Sequence, residues 1–318
     1  MIPLTGSRLA LDEGFLLFAI AFTPDPWGLL DPSHRVEETS AFSSQAHLYR
    51  QTNDLQTVSF SSLLLQSFHK ACHSYPKDQI VGGEDAPLGK YPYQVSLRKS
   101  GFHSCGGSIV SSHTVLTAAH CIISEKQLTV KIRLFDSYSN NPASLRDLTI
   151  HAGTNYLNES GVVYTAIQAI THKNYDPYQL INDVGLLILS TAVEFKPLVQ
   201  RILLAKDDIA PADYPCILTG WGRLSVGGQI PNNLQQIELK VYDQNKCRQE
   251  HMNVQSSHIC TLTKTGEGAC HGDSGGPLIA DGVQIGIVSF GVPCARGYSD
   301  VFTRVSAFTK WFEEHVVD

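Results

Sequence analysis

No stretch of this 318-residue chain stays apolar for the length of a bilayer crossing, which excludes an integral membrane helix. Runs of lysine or arginine are also missing, and 30 acidic against 24 basic residues leave a formal charge of −6. Nucleic-acid binding needs a clustered basic surface, so that class is set aside. The histidines lack the spacing and partners of a ligand set. His113, His151 and His172 read as surface residues, and no metal or cofactor is expected. What the chain does have is 42% hydrophobic residues, enough to supply a sizeable core in more than one average domain length.

It also has a serine set among small residues: Gly268-Ala269-Cys270-His271-Gly272-Asp273-Ser274-Gly275-Gly276-Pro277-Leu278. Glycine-rich backbone can turn successive N–H groups toward one point, so such a turn can present Ser274 and aim donors at an oxyanion beside it. A serine hydroxyl needs a base within hydrogen-bond reach, and a histidine steadied by a buried carboxylate supplies one. Two further runs provide these residue types: Leu116-Thr117-Ala118-Ala119-His120-Cys121 and Asn182-Asp183-Val184-Gly185-Leu186-Leu187. Any one of the three runs is a common coincidence. Their ordered occurrence is not.

The order His120, Asp183, Ser274, with Ile80-Val81-Gly82-Gly83, Gly220-Trp221-Gly222 and Ser289-Phe290-Gly291, resembles the chymotrypsin family from Ile80 to Asp318. Within it, Thr263 to Ser274 is most similar to insect chymotrypsins. The resemblance implies an all-β fold of two six-stranded antiparallel β-barrels with a C-terminal helix and the site in the cleft between them. It implies a secreted, extracellular serine endopeptidase acting on protein and peptide substrates, with an activating protease and protease inhibitors as further partners. Nothing suggests more than a monomer. His120, Asp183 and Ser274 would be catalytic, the backbone N–H groups of Gly272 and Ser274 the oxyanion hole, and Ser289-Phe290-Gly291 the edge that pairs with the substrate backbone.

The resemblance also pairs six of the eight cysteines: Cys105 with Cys121, Cys247 with Cys260, and Cys270 with Cys294. Such bridges imply an oxidising compartment. Cys72 and Cys216 are left over. Relatives that bridge the Cys216 position carry the partner where this chain has Ala280, so Cys216 is expected as a buried thiol.

Two further absences bear on specificity and activation. Relatives that cut after Arg or Lys carry an aspartate six residues before the serine, where this chain has Gly268. With Ala269 and Gly291 keeping the pocket smooth and open, the preference expected is for Phe, Tyr, Leu or Met. Asp300 falls where many relatives have glycine. It either accepts a basic side chain, broadening specificity, or is hydrogen-bonded or protonated and only reshapes the wall. In the family, cleavage before the isoleucine frees an amine that pairs with the aspartate preceding the serine, here Ile80 with Asp273. But Gln79 stands where Arg or Lys is usual. A catalytically silent homologue with a binding role is the alternative from another class, and an activating protease of a cascade ranks below it.

Residues 1–79 read apart from the rest, as a leader and propeptide or, preferably, as a wrongly joined first exon, because Asp12 and Glu13 precede the apolar Gly14–Phe22. From Ile80 onward, short runs such as Val95–Leu97, Ser108–Val110, Leu186–Leu189, Gln236–Val241 and Gln284–Ser289 predict strands. The barrels are expected to join between Leu198 and Pro215. Ser306 is expected to cap a final helix presenting Phe308, Trp311, Phe312 and Val316. Val130–Arg146 reads as an insertion, either a surface loop or a translated intron, and Asn158-Glu159-Ser160 as a glycosylation sequon.

Overall fold

The computed structural model describes residues 80–123 and 145–318. The expectations for residues 1–79, including Cys72, and for all of the Val130–Arg146 insertion except Leu145 and Arg146 lie outside them. Fifteen strands follow in chain order. They are β1 (Glu84–Asp85), β2 (Gln94–Lys99), β3 (Phe102–Ile109), β4 (Thr114–Thr117) and β5 (Leu148–Ala152). Next come β6 (Val162–Tyr164), β7 (Ala166–Thr171), β8 (Gly185–Leu189), β9 (Leu203–Leu204) and β10 (Pro215–Gly220). Last are β11 (Gln235–Val241), β12 (His258–Leu262), β13 (Pro277–Ala280), β14 (Val283–Gly291) and β15 (Asp300–Arg304).

The burial patterns explain why these runs are strands. In β5, Leu148, Ile150 and Ala152 are buried while Thr149 and His151 are half-buried, the alternation of a sheet with one core face. In β8 all five residues, Gly-Leu-Leu-Ile-Leu, are buried, because the strand lies between β4 and β7.

The fold is mostly β with few helices. In the C-terminal half, β11-β10-β13-β14-β15-β12 run side by side, and β12 returns to β11 with Lys240 opposite Leu262. That closes a six-stranded antiparallel barrel and leaves those strands no free edge. β1 adds to it along β11, and β9 pairs in parallel with β14. In the N-terminal half, β6-β5-β2-β3-β4-β8-β7 form a curled half-barrel, and β5 and β7 approach without a pairing among the described residues. A core cluster around Val95, Leu97, Ile109, Leu116, Ile150 and Leu186 fills this half, and one around Leu218, Leu239, Ile259, Leu278 and Phe302 fills the other.

The C-terminal helix is present as Thr309–His315, burying Phe312, but Ser306 does not cap it. A 3-10 turn, Val305–Phe308, precedes the helix and takes in Ser306, whose carbonyl accepts from Thr309 Oγ1 at 3.0 Å. The three histidines set aside as surface residues are half-buried instead. His172 packs edge-on against Phe308 of that turn, and His151 is held by Thr149 Oγ1 and the Ser160 carbonyl.

Candidate active site

The β4–β8 ladder brings two distant residues together. Thr117 at the end of β4 lies opposite Gly185 at the start of β8, so residues just after β4 stand beside those just before β8. His120 enters the short helix Ala119–Ile122, and Asp183 ends the loop before β8. Asp183 Oδ2 lies 2.7 Å from His120 Nδ1, and the His120 backbone N–H donates to Oδ1 at 3.0 Å. Asp183 is fully buried, and the barrel holds it too: Ser289 Oγ donates to Oδ2 at 2.6 Å, and Thr303 Oγ1 to its carbonyl at 2.8 Å. The β14–β15 register shifts between Val288 and Phe290, so Ser289 sits at an irregularity of the kind that re-aims a side chain. Neither supporting hydroxyl was anticipated as such. Ser289 was read only for its backbone, and a threonine inside a strand carries no sequence signal.

Burial pulls the His120 pKa down, but the Asp183 charge and hydrogen bond outweigh it and the net shift is upward. Burial likewise pushes Asp183 up, and His120 together with the hydrogen bonds from His120 and Ser289 brings it below its usual value. The carboxylate therefore stays ionised beside an imidazole ready to take a proton.

The Ser274 loop is pressed against the same corner. Gly106 N–H of β3 donates to the Ser274 carbonyl at 2.8 Å, and Gly275 N–H to Val288 at 2.8 Å. A Cβ on Gly275 would fall 2.2 Å from Thr117 Oγ1, so only glycine lets the loop approach the end of β4, three residues before His120. Ser274 is half-buried, and among the described residues its hydroxyl has no hydrogen-bond partner. The Gly272 and Ser274 N–H groups also meet no acceptor among the described residues. The Gly272 carbonyl, by contrast, is fixed at 2.9 Å from His103 Nε2.

The Gly220-Trp221-Gly222 motif is a cradle for Asp273. A Cβ on Gly220 would lie 2.2 Å from Asp273 Oδ1, and one on Gly222 2.0 Å from Oδ2. Asp273 is fully buried and accepts from Gly222 N–H at 2.7 Å and Cys270 N–H at 2.9 Å. Burial pushes its carboxyl up to about 6 despite those two donors. Ile80 is also fully buried, in the cluster that contains Ala269, and Gly268 N–H donates to the Val81 carbonyl at 3.0 Å.

Gly268, Ala269, Gly291 and Asp300 also converge. Asp300 is opposite Gly291 in the β14–β15 ladder, is 4% exposed, and accepts the Ala269 N–H at 2.6 Å through Oδ2. A Cβ on Gly268 would lie 2.6 Å from that oxygen. Burial raises the Asp300 carboxyl to about 7, against the Ala269 hydrogen bond.

All three disulfides implied by the resemblance are formed. Cys216 is a buried free thiol that burial pushes up to about 12, which leaves it unreactive. Cys105, His120 and Cys121 lie close enough together to suggest a metal cluster, but both sulfurs are spent in one bridge.

A family model of trypsin matches residues 80–312. Chymotrypsin-2 of Vespa crabro is 50% identical over 236 residues, covering 74% of this chain and 99% of that protein. Trypsin alpha-4 of Lucilia cuprina is 34% identical over 73% of this chain and 86% of its own length. Among solved structures, neuropsin, a serine protease of mouse brain, superposes with a TM-score of 0.62 at 27% identity, covering 73% of this chain and 97% of that one. With this match and an all-β scaffold around a serine, a histidine and a buried aspartate, the chain belongs to the trypsin family and is a chymotrypsin-like serine endopeptidase.

Proposed function

We propose that residues 80–318 are the catalytic domain of a secreted digestive enzyme that cleaves after Phe, Tyr, Leu or Met through Ser274, His120 and Asp183. The observation that carries the reading is the Asp183–His120 pair at 2.7 Å with the serine loop pressed against the strand that leads to it. His120 Nε2 takes the Ser274 proton as Oγ attacks the peptide carbonyl, and returns it to the leaving amine. Water then enters and gives a proton to His120 as its oxygen bonds the acyl carbon, and Ser274 Oγ leaves with the proton that His120 returns. The free N–H groups of Gly272 and Ser274 receive the oxyanion, each worth roughly 3 kcal/mol of barrier. Asp183 keeps Nδ1 protonated and steadies the imidazolium.

Whatever segment precedes it, cleavage before Ile80 gives that residue a free amine. That amine pairs with Asp273, whose carboxyl has two backbone donors among the described residues, the Gly222 and Cys270 N–H groups. Breaking a buried pair of this kind costs about 3–5 kcal/mol, enough to keep the precursor inactive.

A second reading of specificity rests on Asp300. Ionised, it adds a negative charge to the pocket and admits Arg or Lys; neutral, it only shapes the wall. The test compares kcat/KM of the cleaved chain on matched peptides with Phe, Leu or Arg before the scissile bond. Cleavage at Phe and Leu with little at Arg supports the chymotrypsin-like preference. Arg cleavage that Asp300→Gly abolishes supports the broader one. No cleavage by a folded, cleaved sample refutes both and favours a silent binding protein.

A further inference from the structure

His258 is fully buried at the start of β12, takes no part in the proposed chemistry, and spans the two halves of the fold. Its Nδ1 accepts the Gln255 N–H at 2.9 Å. A nitrogen that accepts carries no proton, so the proton is on Nε2, which donates to the Leu180 carbonyl at 3.2 Å. The ring is thereby fixed as one neutral tautomer.

Leu180 belongs to the loop that delivers Asp183, and that loop is strained. Leu180 and Asn182 both take φ of +55°, a region that asparagine enters readily but leucine only at a cost. His258 therefore holds one of the two left-handed residues that set where Asp183 emerges. The same imidazole meets the Phe290 ring edge-on, with centroids 5.5 Å apart at 82°. His251 meets that ring too, at 6.1 Å and 87°, and is itself tied to the Ser299 carbonyl at 2.9 Å. Phe290 follows Ser289, whose hydroxyl holds Asp183. His258 also lies opposite Thr303 in the β12–β15 ladder, and Thr303 Oγ1 binds the Asp183 carbonyl. Burial keeps the imidazole below its usual pKa; the Leu180 hydrogen bond and the Asp183 charge oppose this and Arg304 reinforces it.

We propose that His258 is a positioning residue, a neutral imidazole latch that holds the Leu180–Asp183 loop and the Phe290 edge in one register, and so aligns Asp183 with His120. The proposal rests on the reading that Asp183 orients His120, and it adds a residue on the other half of the fold on which that orientation depends.

The full-length chain is made with Gln79→Arg so that trypsin can open it before Ile80, and is paired with His258→Leu and His258→Gln. Glutamine keeps a donor for Leu180 and an acceptor for Gln255; leucine keeps neither. On an ester with one amino-acid residue, His258→Leu lowers kcat about tenfold with KM nearly unchanged. On a peptide with three more residues before the scissile bond it lowers kcat/KM about 100-fold, the scale of a catalytic group displaced by an ångström. His258→Gln restores both to within about threefold. A folded His258→Leu enzyme with unchanged kcat on both substrates overturns the assignment and leaves the proteolytic reading standing. A parent chain that cleaves nothing overturns that reading instead. Nitrogen-15 NMR of the uncut, unsubstituted protein checks the latch even if the leucine variant does not fold. A slowly exchanging His258 Nε2–H with an unprotonated Nδ1 is expected, and the opposite tautomer overturns the proposal.

Discussion

Asp300→Asn separates the cost of a buried carboxyl from its use. The folded-state value of about 7 stands against a reference of 3.8, so the folded protein holds this proton far more tightly than the unfolded chain does. Between those values, unfolding releases the proton, and stability falls as pH rises until the carboxyl ionises in the folded state as well. A gap of about three units corresponds to about 4 kcal/mol as an upper bound, at 1.36 kcal/mol per unit. Asparagine removes the titration while its carbonyl still accepts the Ala269 N–H now held at 2.6 Å. Urea unfolding in a Ser274→Ala background, which prevents self-digestion, is measured from pH 4 to pH 8. The asparagine variant gains on its parent steadily up to pH 7 and then runs parallel to it. Parallel curves throughout would refute the reasoning and mean that Asp300 ionises freely inside its wall.

Other expectations follow from named contacts. Gly222→Ala drives a Cβ to 2.0 Å from Asp273 Oδ2, so it should lower stability by about 3 kcal/mol in chemical denaturation and leave the cleaved enzyme nearly inactive. Ala280→Cys should bridge to Cys216, because Ile217 stands opposite Ile279 in the β10–β13 ladder. The chain-entropy gain is about 4 kcal/mol, seen as a higher melting temperature that reductant reverses. The acid limb of kcat/KM should follow His120, with activity growing as pH rises through its raised pKa. Asp183→Asn removes what raises that value and leaves the burial that lowers it. Its limb should therefore move to lower pH while kcat falls about 10⁴-fold.

The pairing of Asp183 with His120 could be anticipated because each of the proposed triad residues lies in a short run with its own backbone logic, and because the order of the runs narrows the folds that can unite them. Strand positions were legible for a simpler reason: runs such as Leu186–Leu189 are apolar throughout, short, and bounded by residue types common in turns, here Gly185 and Ser190, as buried strands are. Other features depend on contacts across the fold. The β12–β11 pairing that closes the barrel involves Lys240 and Leu262, neither of which marks a closure in sequence. Ser306 has the right chemistry for a helix cap, but the 3-10 turn that buries Val305 and Phe308 takes it in first. His172 looks like a surface residue until Phe308 and Trp311 are folded against it. Asp300 could be placed near the pocket from sequence, yet its bond to Ala269 N–H is set by the approach of β15 to the serine loop.

The central claim is that Ser274 is made nucleophilic by His120 and Asp183. Its most direct test treats the chain, opened before Ile80, with a fluorophosphonate and maps the adduct by mass spectrometry. The account predicts one adduct, on Ser274, which His120→Ala nearly abolishes and which the uncut chain forms far more slowly. Labelling elsewhere, or labelling of Ser274 that does not depend on His120, would contradict it.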